Sequence, residues 1–352
     1  MGKLLGVLFI LVAVVALSLA GAWFWLNGVY TGEGPATVDG KPRVVMIDKG
    51  ATRQTIATKL KEAGGISDDG QFRLVLRLRE FLGDKAVMKA GEYEIKSGAS
   101  MQAIVQELAE GRALQYAVVV PEGLTSSAIL NLLIEKSWKA TGGASETYKL
   151  AGPVPAIPAE GVLLPGDYAV TRGATIESVV DRMIKAQQEL LEDLWPDRQP
   201  GLPLKTKEEA VNLASIVENE TGVPEERPKV ASLFINRLNK NMRLQSDPTI
   251  VYGLTRGVPL GHGLRVSEIA QKTEWNTYQI DGLPKTPICN PGRESIKAVL
   301  NPAVTDYIYF VADGSGGHAF ASTLGDHNAN VSRWREIEKQ RDASRPATPA
   351  KP

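Results

Sequence analysis

Two carboxylates stand two residues apart in the run Ile216-Val217-Glu218-Asn219-Glu220-Thr221. On a helix, Ala210, Leu213, Ala214 and Val217 form one apolar stripe. At roughly 100° per residue, Glu218 falls about 80° to one side of that stripe and Glu220 about 80° to the other. Each acid is therefore predicted on the shoulder of the buried face. Partial burial there raises a carboxyl pKa, and such a group can give and take a proton near neutral pH. Periodicity does not choose between the two. It equally allows both to be ordinary boundary glutamates, since charge on a helix is usually solvated.

The elements that must position these acids follow from the flanking residues. Thr206-Lys207-Glu208-Glu209 fits a capping box, with Thr206 as N-cap and Glu209 at N3, and predicts a helix reaching Thr221. Val230, Leu233, Phe234 and Leu238 mark a second amphipathic helix. Gln245, Ser246 and Asp247, beside the Pro248 turn and before Tyr252, make a hydrogen-bonding rim. Asn276-Thr277-Tyr278 and the Pro- and Gly-rich run from Gly282 to Gly292 predict a rigid, shaped loop. A strand over Tyr307–Asp313 is followed by a Gly-Ser-Gly-Gly turn and His318. His318 and His327 read as structural residues, with a second proton carrier as the alternative for His318. Cys289 reads as an inert buried thiol.

Composition narrows the classes. Of 352 residues, 43% are apolar and 23% charged, which excludes a wholly disordered chain, a collagen-like repeat and a polytopic membrane protein. Lys plus Arg and Asp plus Glu each total 40, so no electrostatic footprint for nucleic acid exists. A single cysteine and three histidines at no ligand spacing predict neither disulfide, metal nor cofactor.

Leu4 to Leu26 carries no charge. As a helix it would be about 34 Å long, against a bilayer core of about 30 Å. Trp23 and Trp25 close it, as an interfacial aromatic belt would. The run exceeds a signal-peptide core, so residues 1–27 are predicted as a cytoplasmic stub and retained membrane helix. Lys3 precedes the span and no Lys or Arg follows it until Lys41, which puts the N-terminus in the cytoplasm. Residues 28–42 read as a short tether and residues 340–352 as a disordered tail. Between them a strand, then Gly-x-Ser/Thr, then aliphatics four and eight residues later recurs four times, at Gly50-Ala51-Thr52, Gly98-Ala99-Ser100, Gly123-Leu124-Thr125 and Gly173-Ala174-Thr175. Each copy predicts a sharp turn into a capped helix.

Several blocks are recognisable together: Ala214–Thr221, Asn236-Arg237-Leu238, Leu244-Gln245-Ser246-Asp247-Pro248-Thr249, Asn276-Thr277-Tyr278, and Tyr307 to His318. In these the chain, from the anchor to about Val331, resembles the endolytic murein transglycosylase family, also called YceG-like. Residues 43–116 also resemble a LysM-like module, through Lys49–Thr52, Ile56-Ala57 and Gly91-Glu92-Tyr93; such modules bind N-acetylglucosamine-containing glycans, though a packing role fits equally. The resemblance implies an α+β protein with an N-terminal transmembrane helix, a small LysM-like α/β module around a mixed sheet, and a larger mixed α+β catalytic domain over 117–339. It implies a single-pass inner-membrane protein whose periplasmic domain cleaves peptidoglycan glycan strands. It places the catalytic acid on Glu218. Glu220, Gln245, Ser246, Asp247, Tyr252, Asn276 and Tyr278 are the expected substrate-binding residues. Family analogy suggests work beside peptidoglycan synthases, though no residue names one. The chain departs from the family pattern at Lys285, at Trp275 and in the segment Glu160–Tyr168. A non-catalytic peptidoglycan-binding scaffold is one rival reading. A muramidase that adds water, with Asp247 as second carboxylate, is another.

Overall fold

The computed structural model describes residues 2–37, 39–141 and 145–344. Helix α1 spans Gly2–Thr31; β1 Arg43–Ile47, α2 Arg53–Glu62, α3 Asp69–Phe81, β2 Gly91–Ile95 and α4 Met101–Glu110 follow. Next come β3 Gln115–Val120, α5 Ser126–Glu135, β4 Ser137–Lys139, β5 Thr147–Lys149, β6 Gly166–Thr171 and α6 Ile176–Leu194. The remainder comprises α7 Lys207–Glu220, α8 Arg227–Asn239, α9 Asp247–Thr255, α10 Val266–Ala270, α11 Arg293–Leu300, β7 Tyr309–Ala312, β8 His318–Ala321 and α12 Leu324–Ser344. The chain is α+β. It divides into two compact units, one of Met1–Ala117 with Ser137–Tyr148 and Ala169–Gly173, the other of Val118–Lys136, Lys149–Tyr168 and Ala174–Pro352.

All four copies of the turn-and-cap pattern form as their residues dictate. Gly50, Gly98, Gly123 and Gly173 adopt φ of 80°, 76°, 77° and 98°, a region closed to most side chains. Two residues on, Thr52, Ser100, Thr125 and Thr175 accept the N–H of Thr55, Ala103, Ala128 and Ser178 at 3.1–3.2 Å, capping α2, α4, α5 and α6. The paired aliphatics, such as Ile56 and Leu60 or Ile129 and Leu133, are buried to 3% exposure or less. Burying each contributes roughly 1.5–3 kcal/mol, which is why the pattern is a folding signal.

The strands pair two by two: β1 with β2, β3 with β6, β4 with β5, and β7 with β8. The mixed sheet expected from sequence is absent among the described residues, where four two-stranded ladders stand in its place. In the first unit β1 and β2 run antiparallel, with Arg43 opposite Ile95 and Ile47 opposite Gly91, over a core that includes Phe72, Tyr93 and Leu108. In the second, α8 and α11 pack on α7, and antiparallel β7 and β8 stand beside α12.

Two boundaries differ from expectation. Helix α1 continues to Thr31, and the residues after it are not slack: Gly34 N–H donates to Gly98 O at 3.1 Å, Gly98 N–H to Pro35 O at 3.2 Å, and Thr37 N–H to Ser97 Oγ at 2.9 Å. The small, polar composition that suggests a tether instead permits close backbone approach. Helix α12 runs to Ser344, so residues 340–344 are helical; the rest of the expected tail lies outside the described residues. Gly6–Thr31 is long and apolar enough to cross a membrane, with mean hydropathy 2.6, and fits a single-pass anchor.

Candidate active site

Helix α7 begins as its sequence predicts, with Thr206 Oγ1 accepting the Glu209 N–H at 3.2 Å. The reciprocal arm closes one residue earlier than a standard box, the Glu209 carboxylate accepting from Lys205 N–H. Past the first turn the helix departs from the amphipathic expectation. Every residue from Ala210 to Val217 is buried, Asn212 and Ser215 included. A helix walled on all sides must satisfy its polar side chains internally. Asn212 Nδ2 donates to Pro284 O at 2.7 Å, and Ser215 Oγ accepts Ile288 N–H at 3.0 Å. The shaped loop foreseen over Gly282–Gly292 is thereby laid along α7. Glu218 lies one turn beyond Ser215 on the same face. There the loop delivers Gly292 N–H to Glu218 Oε2 at 2.8 Å.

The Glu218 side chain is only 6% exposed. Its other oxygen, Oε1, accepts from Arg227 Nη2 at 3.3 Å. The same Nη2 lies 3.3 Å from the carboxylate of Glu122, so two acids share one guanidinium nitrogen. Burial raises the Glu122 carboxyl above its ordinary range, and the Glu218 charge raises it further, while Arg227 acts against both. Neither Glu122 nor Arg227 stands out in the sequence. One signal was available: Glu122 directly precedes the Gly of the third turn-and-cap copy, where the other copies carry Lys49, Ser97 and Arg172. Gly292 is also required sterically, because a Cβ there would sit 1.8 Å from Glu122 Oε1.

Asn290, fully buried, ties this loop to two others. Its Oδ1 accepts Gly161 N–H and Leu163 N–H, both at 3.0 Å, and its Nδ2 donates to Leu124 O and Ser126 Oγ at 3.1 Å. Glu160 belongs to the same knot, accepting Ser126 N–H at 2.8 Å, and burial raises its pKa. Asn290→Ala strands two buried N–H groups and is expected to cost about 2–4 kcal/mol. Asn290→Asp keeps the acceptor oxygen but sets a second oxygen against Leu124 O and the Glu160 carboxylate, and should cost at least as much. Thermal unfolding of the two variants checks the order.

The predicted substrate-binding residues divide into groups. Glu220 Oε1 and Ser246 Oγ are buried with no hydrogen bond among the described residues. Burial, and then the Asp247 charge, push the Glu220 carboxyl up to about 7, with the Ser246 hydroxyl and Arg237 opposing. Gln245 stands at φ 51° with Oε1 3.5 Å from Arg237 Nη1. Asp247 Oδ1 accepts the Tyr278 hydroxyl at 2.7 Å, and burial raises that hydroxyl's pKa. The carboxylate that shares Arg227 with Glu218 is Glu122, which the sequence does not single out. Tyr252 packs edge-on against Trp275, with ring centroids 5.7 Å apart. Asn276 is used up internally. It is 1% exposed, donating to Ile269 O and Gln271 O and accepting Tyr278 N–H. It shapes the loop rather than facing a ligand.

Because the folded protein holds Glu220 above the usual Glu value near 4.3, folding favours its protonated form. That contribution is complete in acid and is lost as the pH rises through about 7. Glu220→Gln should therefore raise stability most above pH 7, by about 1–3 kcal/mol, and by progressively less as the pH falls toward 5. Melting temperatures of both proteins across pH 5–9 test this.

After α7, Thr221 and a 3₁₀ turn lead to Glu226, which binds His318 twice, accepting the backbone N–H at Oε1 and the ring Nδ1 at Oε2, both at 2.7 Å. Burial alone would raise Glu226, but these bonds and one from Thr221 bring its carboxyl below the ordinary range. His318 thus ties β8 to the turn that carries Arg227. His327 stacks on Tyr309 at 5.0 Å, and Cys289 is a buried free thiol.

Two recesses are lined by residues adjoining Glu218. Its neighbour Asn219 lines one of about 510 Å³ with Gly123, Asp247, Tyr252 and Ile288. Its partner Arg227 lines another of about 370 Å³ with Pro224, Glu294 and Lys297. A buried carboxyl with fixed donors, beside residues that line open recesses, can exchange a proton with a bound ligand.

Comparisons with known proteins agree on one family. The family model described as YceG-like matches residues 45–333. An endolytic murein transglycosylase of Bacillus subtilis is 30% identical, over 84% of this chain and 85% of its own length. One from Streptococcus pneumoniae D39 is 27% identical over 90% of this chain, which spans 63% of that relative. A crystal structure of a yceG-like protein from Listeria monocytogenes is 26% identical, covering 82% of this chain and 99% of its own, with a TM-score of 0.49.

Proposed function

The chain belongs to the YceG-like family, and on that premise we propose that it is a lytic transglycosylase cleaving the MurNAc–GlcNAc bond of peptidoglycan strands, with Glu218 as acid and then base. The observation that carries this reading is the nearly enclosed Glu218 carboxyl, clamped by Gly292 N–H and Arg227. Protonated, Glu218 gives its proton to the bridging oxygen as the glycosidic bond breaks. As carboxylate, it takes the proton of the MurNAc C6 hydroxyl, whose oxygen bonds to the anomeric carbon and leaves a 1,6-anhydro end. The nucleophile is tethered to the reacting ring, so proximity supplies several kcal/mol and no water need be activated. Glu122 shares the Arg227 guanidinium nitrogen with Glu218, and burial and the Glu218 charge raise its carboxyl. Glu220, Gln245, Ser246, Asp247, Tyr252 and Tyr278 form the surroundings that orient the sugars. The anchor holds this domain at the outer face of the inner membrane, against nascent strands and their synthases.

One observation favours a second reading. Two carboxyls about one arginine are the equipment of a hydrolase, in which one donates a proton and the other activates water or attacks. Mass spectrometry of the products separates the two. Anhydro-ended fragments, lighter by one water, support the transglycosylase; reducing ends support hydrolysis. Intact sacculi after digestion by the full chain would leave the scaffold reading, and the enzyme proposal would fall.

A further inference from the structure

Helix α3 is apolar on two faces. Phe72, Val75 and Leu76 enter the core, while Leu74, with Phe81 two turns further on, points outward at 46% and 88% exposure. The loop that follows adds Leu82 at 61% and Val87 at 75%. An outward cluster of this size calls for a partner surface. Its charge is basic: residues 74–89 hold Arg77, Arg79, Lys85 and Lys89 against Glu80 and Asp84. Both acids are already neutralised at 2.6 Å, Glu80 by Arg53 and Asp84 by Arg79.

The position of this face relative to α1 identifies what covers it. Tyr30 is buried in the same core, Leu26 and Val29 pack against it, and the Arg79 guanidinium lies 4.2 Å from the Tyr30 ring centroid. Tyr30 is four residues past Leu26, about 6 Å along the helix. If Leu4–Leu26 fills the hydrocarbon, Tyr30 and Arg79 fall in the headgroup layer, which is about 5–7 Å deep on each side. The bonds from Gly34 and Thr37 to Ser97 and Gly98 leave no slack between helix and unit.

We propose that Leu74–Lys89 is a membrane-interface surface, with Phe81, Leu82 and Val87 set among the acyl chains and Arg77, Lys85 and Lys89 on anionic phospholipid headgroups. The proposal rests on reading α1 as a membrane anchor. The full chain is reconstituted in phosphatidylcholine vesicles with and without phosphatidylglycerol. A fluorophore is placed through Phe81→Cys, Val87→Cys or Trp25→Cys; the native thiol is buried. Lipids carrying a quencher near the headgroup should dim positions 25, 81 and 87 about two- to fivefold, with positions 81 and 87 dimming more when anionic lipid is present. Quenching at 25 without quenching at 81 and 87 overturns the proposal, leaves the anchor standing and points to a protein covering this face. Equal quenching at 81 and 87 with neutral lipid overturns the headgroup contact. No quenching at 25 removes the anchor and the proposal with it.

Discussion

Glu218→Gln is expected to lower glycan cleavage by about 10²–10⁴-fold, the range for losing a positioned acid–base group, and to fall toward the upper end because the proposed reaction uses one side chain for both transfers. The loss should be chemical rather than structural. Glutamine has the same shape, and its carbonyl oxygen can still accept Gly292 N–H in place of Glu218 Oε2. The amide cannot protonate a bridging oxygen. Muropeptide mass spectra after digestion by the two proteins, with matched melting temperatures, test the point. Wild-type rates in the Gln variant would remove Glu218 from the chemistry and turn attention to Glu122 or Glu220.

The local order of the chain was legible because it is written in short-range rules. Four Gly-x-Ser/Thr turns become four capped helices, since backbone sterics and one hydrogen bond decide each within five residues. The family resemblance drew attention to Glu218, which periodicity alone had left level with Glu220. Contacts distant in sequence were not legible. Glu122 and Gly292 reach Glu218 from 96 residues before it and 74 after it, and no local propensity encodes such a meeting. Asn276 misled for the opposite reason. A polar residue in a Gly- and Pro-rich loop can serve a ligand or the loop's own backbone, and only the count of its satisfied bonds separates the two. The tether misled because Gly-rich composition suits close packing as well as slack.

The pairing of Glu122 with Arg227 predicts that the two act on each other through charge. Burial and the Glu218 charge raise the Glu122 carboxyl, and Arg227 lowers it. Like charges disfavour each other's ionisation, and an opposite charge favours it. Glu122→Gln removes that carboxyl while keeping the side chain's shape, and cleavage at pH 7 should fall by about 10–10²-fold. Arg227→Gln removes the shared cation and should push the Glu122 carboxyl higher still, a shift that NMR of the labelled side chain reads directly. An unmoved Glu122 titration in the Arg227→Gln protein would show that the pair is held by structure rather than by charge. The geometry favours charge, because a single guanidinium nitrogen lies 3.3 Å from each acid, and neutralising either partner changes the field at the other.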